Sequence, residues 1–284
     1  KHIKQCEITQ AQLNTHPQLL EDVFSLLIQA HYQTRPSDLR DILDASGLRI
    51  FASYQQASSD ERKTILAACL VFDEGDLALE SRDIVKAILQ GKRRPKGHLT
   101  PQVQTLHMGQ ENALHLKSAR IVRIATLPNL QRLNLGSKLL GFVKDTLKTN
   151  NYDYVSSSYA DTSDVRSFRM KNGFNLIRLG NNLDQPSGTR SGLVMEGISS
   201  KGDKLTENCL AFFNNQKNST ASFKEISPTE KTLVRYFLDS TGSYEAIKDI
   251  LNRDENWKRF FSGKHFPKQA NSDFRKLVKE WTEH

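Results

Sequence analysis

The segment 120–140, RIVRIATLPNLQRLNLGSKLL, contains residue types that can hold a phosphate group. An alternating, β-branched run breaks at Leu127, and a helical pattern resumes at Leu135. The small, polar or cationic residues around this break are Arg132, Asn134, Gly136 and Ser137. Because a helix N-terminus presents unpaired N–H groups and the positive end of the helix dipole, the turn could hold a pyrophosphate. An ordinary strand-to-helix junction is the alternative interpretation.

Two common nucleotide-binding motifs and a metal site are excluded by residue spacing. Segment 91–97, GKRRPKG, lacks the spacing and the final Ser or Thr of a Walker A loop, and the turn has one Gly where a dinucleotide fingerprint needs three. The cysteines, Cys6, Cys69 and Cys209, form no ligand spacing. We therefore expect no metal, reduced thiols in a cytoplasmic protein, and Cys69 buried in a strand.

Alternating helices and strands must position the turn. Over the first ~200 residues, segments with the hydrophobic period of a helix alternate with segments with the period of a strand. This alternation predicts an α/β domain with a mixed sheet. Helices are predicted at 15–32 with Thr15 as N-cap, 37–45, 76–89, 135–148 and 163–171. Strands are predicted at 48–54, 64–75, 119–126, 152–159, 174–179 and 191–198. A lead-in precedes residue 15, and 91–102 and 180–190 are predicted loops.

After Ser200 the chain shows helical patterns alone, at 206–216, 227–240, 243–252 and 271–284. Ser227 and Glu230 have the spacing of a capping box. We therefore divide the chain into an α/β domain, residues 1–200, and a helical tail, residues 201–284.

The composition is that of a basic globular protein. The chain has 284 residues, of which 37% are hydrophobic and 25% charged, with a net charge of +8 that favours a polyanionic partner. No apolar run approaches the roughly 20 residues of a membrane span, so no membrane partner is expected. Because the first residue is Lys1 rather than Met, we expect a fragment of a longer chain.

The turn resembles the acetyl-CoA motif of the GCN5-related N-acetyltransferases, (Q/R)-x-x-G-x-(G/A), with Gln131, Asn134 and Gly136 in its fixed positions. Other strings resemble the acetyltransferase module of the tRNA(Met) cytidine acetyltransferases, among them AHYQTRPSDL from Ala30, GKRRPKGHL from Gly91 and MKNGFNLIRLG from Met170. This resemblance covers about residues 15–200. It implies a GCN5-related N-acetyltransferase fold, with a central mixed sheet flanked by helices and a small helical C-terminal domain.

The resemblance also implies an activity. The family transfers an acetyl group from acetyl-CoA to N4 of a cytidine, in bacteria the wobble cytidine of elongator tRNA(Met), so tRNA and acetyl-CoA are the expected partners. ATP or GTP would act through the family's N-terminal helicase-like module, which we expect to lie outside this chain. Two alternatives remain open: a non-catalytic RNA-binding module with a degenerate turn, and an acetyltransferase of protein or small-molecule amines.

By position in the motif, the resemblance implies a set of acetyl-CoA contacts. These are Ile124, Ala125 and Thr126 at the strand end, and Gln131, Arg132, Leu133, Asn134, Leu135, Gly136 and Ser137 in the turn. Asp164 and Lys171 stand where the family has an acidic and a basic contact, although Asp164 could equally serve the dipole of its helix. Asn134 replaces the family's middle Gly, and Asn tolerates positive φ at modest cost.

The catalytic base must come from outside strand 119–126, because that strand lacks the Glu that many relatives of the family place there. We expect His31, which titrates near neutral pH, to take the proton from the cytosine amine, with Glu74 as second choice. His31 could instead cap its helix, and Glu74 could be an ordinary turn acid. Tyr32 is either a proton donor to the leaving thiolate or a core side chain.

Two basic regions are candidates for RNA contact. One loop contains Lys92, Arg93, Arg94 and Lys96, which suit phosphate contacts, although a solvated charge run is the alternative. In the tail, basic and aromatic residues interleave over 257–276, and the aromatics could stack on bases or form the core of a small helical domain.

Overall fold

The computed structural model describes residues 2–29, 47–56, 63–77, 82–89, 91–183, 188–218, 226–239, 242–254 and 272–283. The strands are β1 (Ile3–Ile8), β2 (Leu48–Gln56), β3 (Lys63–Gly75), β4 (Lys117–Thr126), β5 (Tyr154–Ala160), β6 (Asn175–Leu183) and β7 (Arg190–Gly197). The helices are α1 (Gln10–Thr15), α2 (Pro17–Gln29), α3 (Arg82–Leu89), α4 (Leu99–Met108), α5 (Leu135–Thr149), α6 (Ser163–Lys171), α7 (Ser200–Asn218), α8 (Pro228–Leu238), α9 (Tyr244–Leu251) and α10 (Ser272–Glu283). Short 3-10 helices lie at Glu111–Leu114 and Pro128–Leu130.

The seven strands form one mixed sheet in the order β1-β2-β3-β4-β5-β7-β6. Strands β4 and β5 run parallel, and every other neighbouring pair is antiparallel. Helix α5 connects the two parallel strands, as a parallel pair requires. The predicted α/β class and the strand–turn–helix unit of β4 and α5 are therefore confirmed, and β2 and β3 pair as an antiparallel hairpin.

Two hydrophobic cores cover the two faces of the sheet, and β3 contributes to both. Cys69 and Val71 pack with Leu139, Leu140, Val143 and Leu147 of α5, whereas Ala68 and Leu70 pack with Val23, Leu26 and Leu27 of α2. This assignment follows the alternation of side chains along a strand. Each fully buried leucine contributes on the order of 2 kcal/mol of hydrophobic stabilisation. The predicted burial of Cys69 is confirmed.

At the N-terminus, the predicted lead-in and the predicted N-cap Thr15 were wrong. Residues 3–8 form the edge strand β1, which pairs with β2 and carries an ion pair between Glu7 and Arg49 at 2.7 Å. Thr15 ends α1, and the cap of that helix is Thr9, which forms a capping box with Gln12. The predicted helix at 37–45 lies outside the described residues.

Two predicted loops contain regular structure. Residues 99–108 form α4, and Pro101 is tolerated in it because it lies in the first helical turn, where no N–H group is needed. Residues 180–183 extend β6 beyond its predicted end.

The C-terminal helices α8, α9 and α10 share a core of their own, which contains Val234, Phe237, Ile247, Phe274 and Val278. The predicted capping box is confirmed, since Glu230 accepts from the Ser227 N–H at 2.9 Å and donates its own N–H to the Ser227 hydroxyl at 3.3 Å. An ion pair of 3.1 Å between Arg178 and Asp249 joins β6 to α9. Helix α7, by contrast, packs against the sheet. Among the helices that the structure describes, none has the length and apolar character that crossing a bilayer requires.

Candidate active site

A gap opens in the middle of the sheet where β4 and β5 diverge. The two strands pair from Ser118 to Ile121, after which β4 continues along β3 as far as Thr126 and β5 continues along β7. The divergence coincides with a bulge, because Leu70 pairs with Arg123 and Val71 with Ile121, which leaves Val122 as an extra residue in β4. A bulge bends the strand that contains it. The predicted strand-end residues, Ile124, Ala125 and Thr126, lie on the part of β4 that has left β5.

The predicted turn connects this free strand end to α5. The Gln131 side chain donates to the Thr126 carbonyl at 3.4 Å, which folds the turn back over the strand end. Arg132 and Asn134 both adopt left-handed backbone, each with φ of 63°. The Asn134 side chain makes no capping hydrogen bond to α5. The first N–H groups of an α-helix have no intrahelical acceptor, so they are available at this turn to an anion.

Gly136 lies in the first turn of α5, where the fold itself does not require glycine. A Cβ at this position would stand 3.5 Å from the Thr126 hydroxyl and 3.5 Å from the ring of Phe168, which are ordinary contacts. The internal packing would therefore accept a small side chain at this position. Leu133, on the same turn, is 62% exposed and contributes no core packing.

Asp164 and Lys171 lie at the two ends of α6, in its first and last turns, and both are exposed. Seven residues of helix separate them by about 10 Å along the axis. The two side chains are therefore too far apart along the helix to contact the same group of a ligand. Whether either contacts acetyl-CoA stays a prediction.

Arg169, also on α6, is a buried cation that the sequence reasoning missed. It is 4% exposed, and its guanidinium carbon lies 5.7 Å from the ring centre of Phe168 and 5.8 Å from that of Phe174. Within the described residues, its Nε and Nη1 atoms have no hydrogen-bond partner. Burial lowers the pKa of Arg169, although Cys69 and Tyr159 nearby oppose this shift. Its position one turn after Val165 and next to Phe168, on the inward face of α6, is the sequence signal that could have identified it.

Glu74 is buried at the end of β3 and is held by three donors. Its carboxylate accepts from the backbone N–H groups of Leu99 and Thr100 at 3.0 and 2.9 Å, and from Arg120 Nε at 2.5 Å. It therefore also caps the N-terminus of α4. Glu74 pairs with Ser118, at the opposite end of β4 from Thr126, about 26 Å away along the strand. Its role as a base stays a prediction, and His31 and Tyr32 lie outside the described residues.

The predicted RNA-binding cations, Lys92, Arg93, Arg94 and Lys96, are all exposed. Their loop is fixed at both ends, since the N–H groups of Lys92 and Arg93 bond to the carbonyl of Ala87 and the Gln102 side chain bonds to the carbonyl of Pro95. The four exposed cations therefore lie on a loop whose two ends are held by hydrogen bonds.

Comparison with known proteins gives one family match and a group of relatives. Residues 22–150 match the model of the family described as GNAT acetyltransferase 2. The chain is 36% identical over 203 residues to the tRNA(Met) cytidine acetyltransferase TmcA of Haemophilus influenzae, covering 71% of this chain and 29% of that protein. The TmcA proteins of Photorhabdus asymbiotica and Vibrio cholerae are 32% and 36% identical over 69% and 64% of this chain. The chain thus spans under a third of the length of these relatives, with 27% and 24% of the latter two covered.

The solved structures that match this chain have low sequence identity to it. The ribosomal-protein-S18-alanine N-acetyltransferase of Escherichia coli is 12% identical, with a TM-score of 0.44, and covers 70% of this chain and 95% of its own. A GNAT family acetyltransferase from Elizabethkingia anophelis with acetyl-CoA bound is also 12% identical, with a TM-score of 0.42, covering 69% of this chain and 97% of its own.

Proposed function

We propose that this chain, which is similar to a tRNA(Met) cytidine acetyltransferase over 71% of its length and to the GNAT acetyltransferase 2 model over residues 22–150, acetylates N4 of a tRNA cytidine with acetyl-CoA. The wobble cytidine of elongator tRNA(Met) is the substrate that we infer. The observation that carries the proposal is the gap between β4 and β5, which leads from a free strand edge at Ile124–Thr126 to the exposed N-terminus of α5.

The residues present fit the cofactor. The turn from Gln131 to Ser137 offers unpaired N–H groups and Arg132 for a pyrophosphate, and Gly136 leaves the approach open. The edge of β4 that no longer pairs with β5 offers backbone groups to an amide-containing pantetheine arm, as an added strand would use them. When bound, acetyl-CoA supplies an activated acetyl group as a thioester.

The main contribution of the protein to the reaction is to position the two reactants. Cytosine N4 is a neutral, weak nucleophile, so holding it against the thioester carbonyl must contribute much of the rate. A backbone N–H on the free edge of β4, aimed at the carbonyl oxygen, would stabilise the negative charge that develops there. A base takes the amine proton as the N–C bond forms, and we propose His31 for this step, with Glu74, whose carboxylate is buried and ion-paired with Arg120, as the second choice. We propose Tyr32 as a proton donor to the thiolate.

Substrate binding is proposed to involve the exposed loop of Lys92, Arg93, Arg94 and Lys96. The anchoring of this loop supports the proposal, because a fixed array of cations loses less conformational freedom when it meets a phosphate backbone. Such contacts position the RNA without selecting the base.

Calorimetric titration of the purified chain with acetyl-CoA tests the cofactor, and transfer of labelled acetyl to elongator tRNA(Met) tests the substrate. A matched tRNA with uridine at the wobble position is the control. No heat and no thermal shift at saturating acetyl-CoA would contradict the enzyme and leave an RNA-binding module. Cofactor binding without tRNA binding at low salt would favour an acetyltransferase of other amines.

A further inference from the structure

Arg169 has unused hydrogen-bonding capacity in a place where water cannot satisfy it. Its Nε and Nη1 atoms are buried and, within the described part of the chain, have no partner. Its guanidinium lies against two aromatic rings, Phe168 at 5.7 Å and Phe174 at 5.8 Å, which have no hydrogen-bond acceptor to offer. Buried donors in folded proteins almost always have an acceptor, and an unpaired buried charge destabilises the free protein. A buried guanidinium with two such nitrogen atoms indicates a ligand that supplies the acceptor.

The position of Arg169 indicates which ligand. Its guanidinium carbon lies 5.7 Å from the ring centre of Phe168, and that ring lies beside Gly136 and the end of β4, where β4 has left β5. At 4% exposure, Arg169 is too deep for an RNA phosphate. A slender chain that enters along the strand edge could reach it.

We propose that Arg169 binds the thioester end of acetyl-CoA and stabilises the thiolate that leaves during acetyl transfer, an inference that rests on the proposed function. In that step the N4–C bond forms and the C–S bond breaks, with its electron pair passing to sulfur. The amine proton passes to the base, and Arg169 keeps its own proton. A full positive charge with two unpaired nitrogen donors in a dry site suits a developing anion better than a neutral amide.

The test uses coenzyme A itself as the probe, because the pKa of its thiol depends on the charges around it when it is bound. The thiolate is titrated by its ultraviolet absorbance, free and bound to the wild type, to Arg169→Met and to Arg169→Lys. We expect the wild type to lower the pKa of the bound thiol by about one unit, a tenfold preference for thiolate. Arg169→Met is expected to abolish this shift, and Arg169→Lys to restore part of it.

A second measurement separates this role from a structural one. Because Arg169→Met removes an unpaired buried charge, the variant should melt at the same temperature as the wild type or higher. Arg166→Met is the matched control: it removes an arginine from the same helix that is paired with Asp161, and should leave the thiol pKa unchanged.

Three outcomes would overturn the inference. An equal thiol shift in the wild type and Arg169→Met would remove Arg169 from the site while leaving the proposed function intact. A large fall in melting temperature for Arg169→Met would show that the arginine supports the fold. Failure of the wild type to bind either coenzyme A or acetyl-CoA would remove the proposed function and this inference with it.

Discussion

The Glu74 carboxylate and the Arg120 guanidinium form a buried ion pair of 2.5 Å between β3 and β4. The same carboxylate accepts the first N–H groups of α4, so one side chain joins two strands to a helix. Glu74 is fully buried and Arg120 is 19% exposed, which makes the pair sensitive to the loss of one partner.

Glu74→Gln is expected to lower the free energy of unfolding by about 3 kcal/mol, because it leaves Arg120 without its counter-charge. Urea unfolding measures this loss, and Glu111→Gln, at an exposed acid, is the control. If Glu74 is also the base, single-turnover acetyl transfer will fall while acetyl-CoA affinity is unchanged. Unaltered stability would mean that the ion pair is not formed in solution.

Substitution of Gly136 should affect the cofactor and not the fold. Gly136→Ala meets ordinary contacts at 3.5 Å, and alanine is the better helix former by up to about 1 kcal/mol, so stability should hold or rise. We expect Gly136→Ala to weaken acetyl-CoA binding about tenfold and Gly136→Val to abolish it, as measured by calorimetry. Full affinity in the valine variant would show that the pyrophosphate lies elsewhere.

Asn134→Gly tests the departure from the family's motif. Asn134 has φ of 63°, where glycine carries no steric penalty, so the variant should be more stable by up to about 1 kcal/mol. Acetyl-CoA affinity should be equal or higher, because the backbone of the turn is kept. Asn134→Val, which resists positive φ, should reduce both stability and affinity. Thermal unfolding with and without acetyl-CoA measures the two effects, and weaker binding by the glycine variant would assign the Asn134 side chain a direct role.

Acid should destabilise the protein through His107. Burial, with help from the nearby Arg178, lowers the pKa of His107 from 6.5 to about 4, although Asp249 opposes the shift. The unfolded chain therefore binds the proton more readily, so this contribution to stability is complete above pH 6.5 and is lost as pH falls towards 4. His107→Gln should flatten the pH dependence of unfolding in this window. An unchanged slope would place the titration at another group.

Replacing Lys92, Arg93, Arg94 and Lys96 together with alanine should weaken tRNA binding at every salt concentration. The slope of log affinity against log salt should decrease by about 0.7 to 0.9 for each phosphate that the variant no longer neutralises. The control replaces four exposed lysines elsewhere, Lys4, Lys86, Lys148 and Lys201. Equally weakened binding in the two variants would show a general effect of charge rather than a binding loop.

The parts of the fold with strong periodicity could be predicted from the sequence. The alternation before Leu127 and the helical pattern after Leu135 predicted β4, the turn and α5 with nearly their observed bounds. Strand β1 was missed because Lys4, Gln5 and Glu7 interrupt its apolar alternation, and its stability comes from pairing with β2. The residue pattern of a single strand does not show which other strand it pairs with.

The candidate site was predicted less completely, for a physical reason. The turn residues are contiguous, so a motif could find them, and the left-handed backbone tolerated by Asn134 is observed. The gap depends on which strands pair and where pairing stops, which only the sheet reveals. Arg169 belongs to a short helix of mixed polarity, and its burial follows from the packing of α6 against the sheet.

The extra residue Val122 determines which side chains in the second half of β4 face each side of the sheet. Ala119 and Ile121 face the core beneath α5, and after Val122 it is Ile124 that faces this core while Ala125 faces the opposite one. A chain one residue shorter here would reverse the faces of the residues that follow, turning Ile124 and Ala125 each towards the wrong core. Deletions in this part of β4 should therefore be far less tolerated than substitutions.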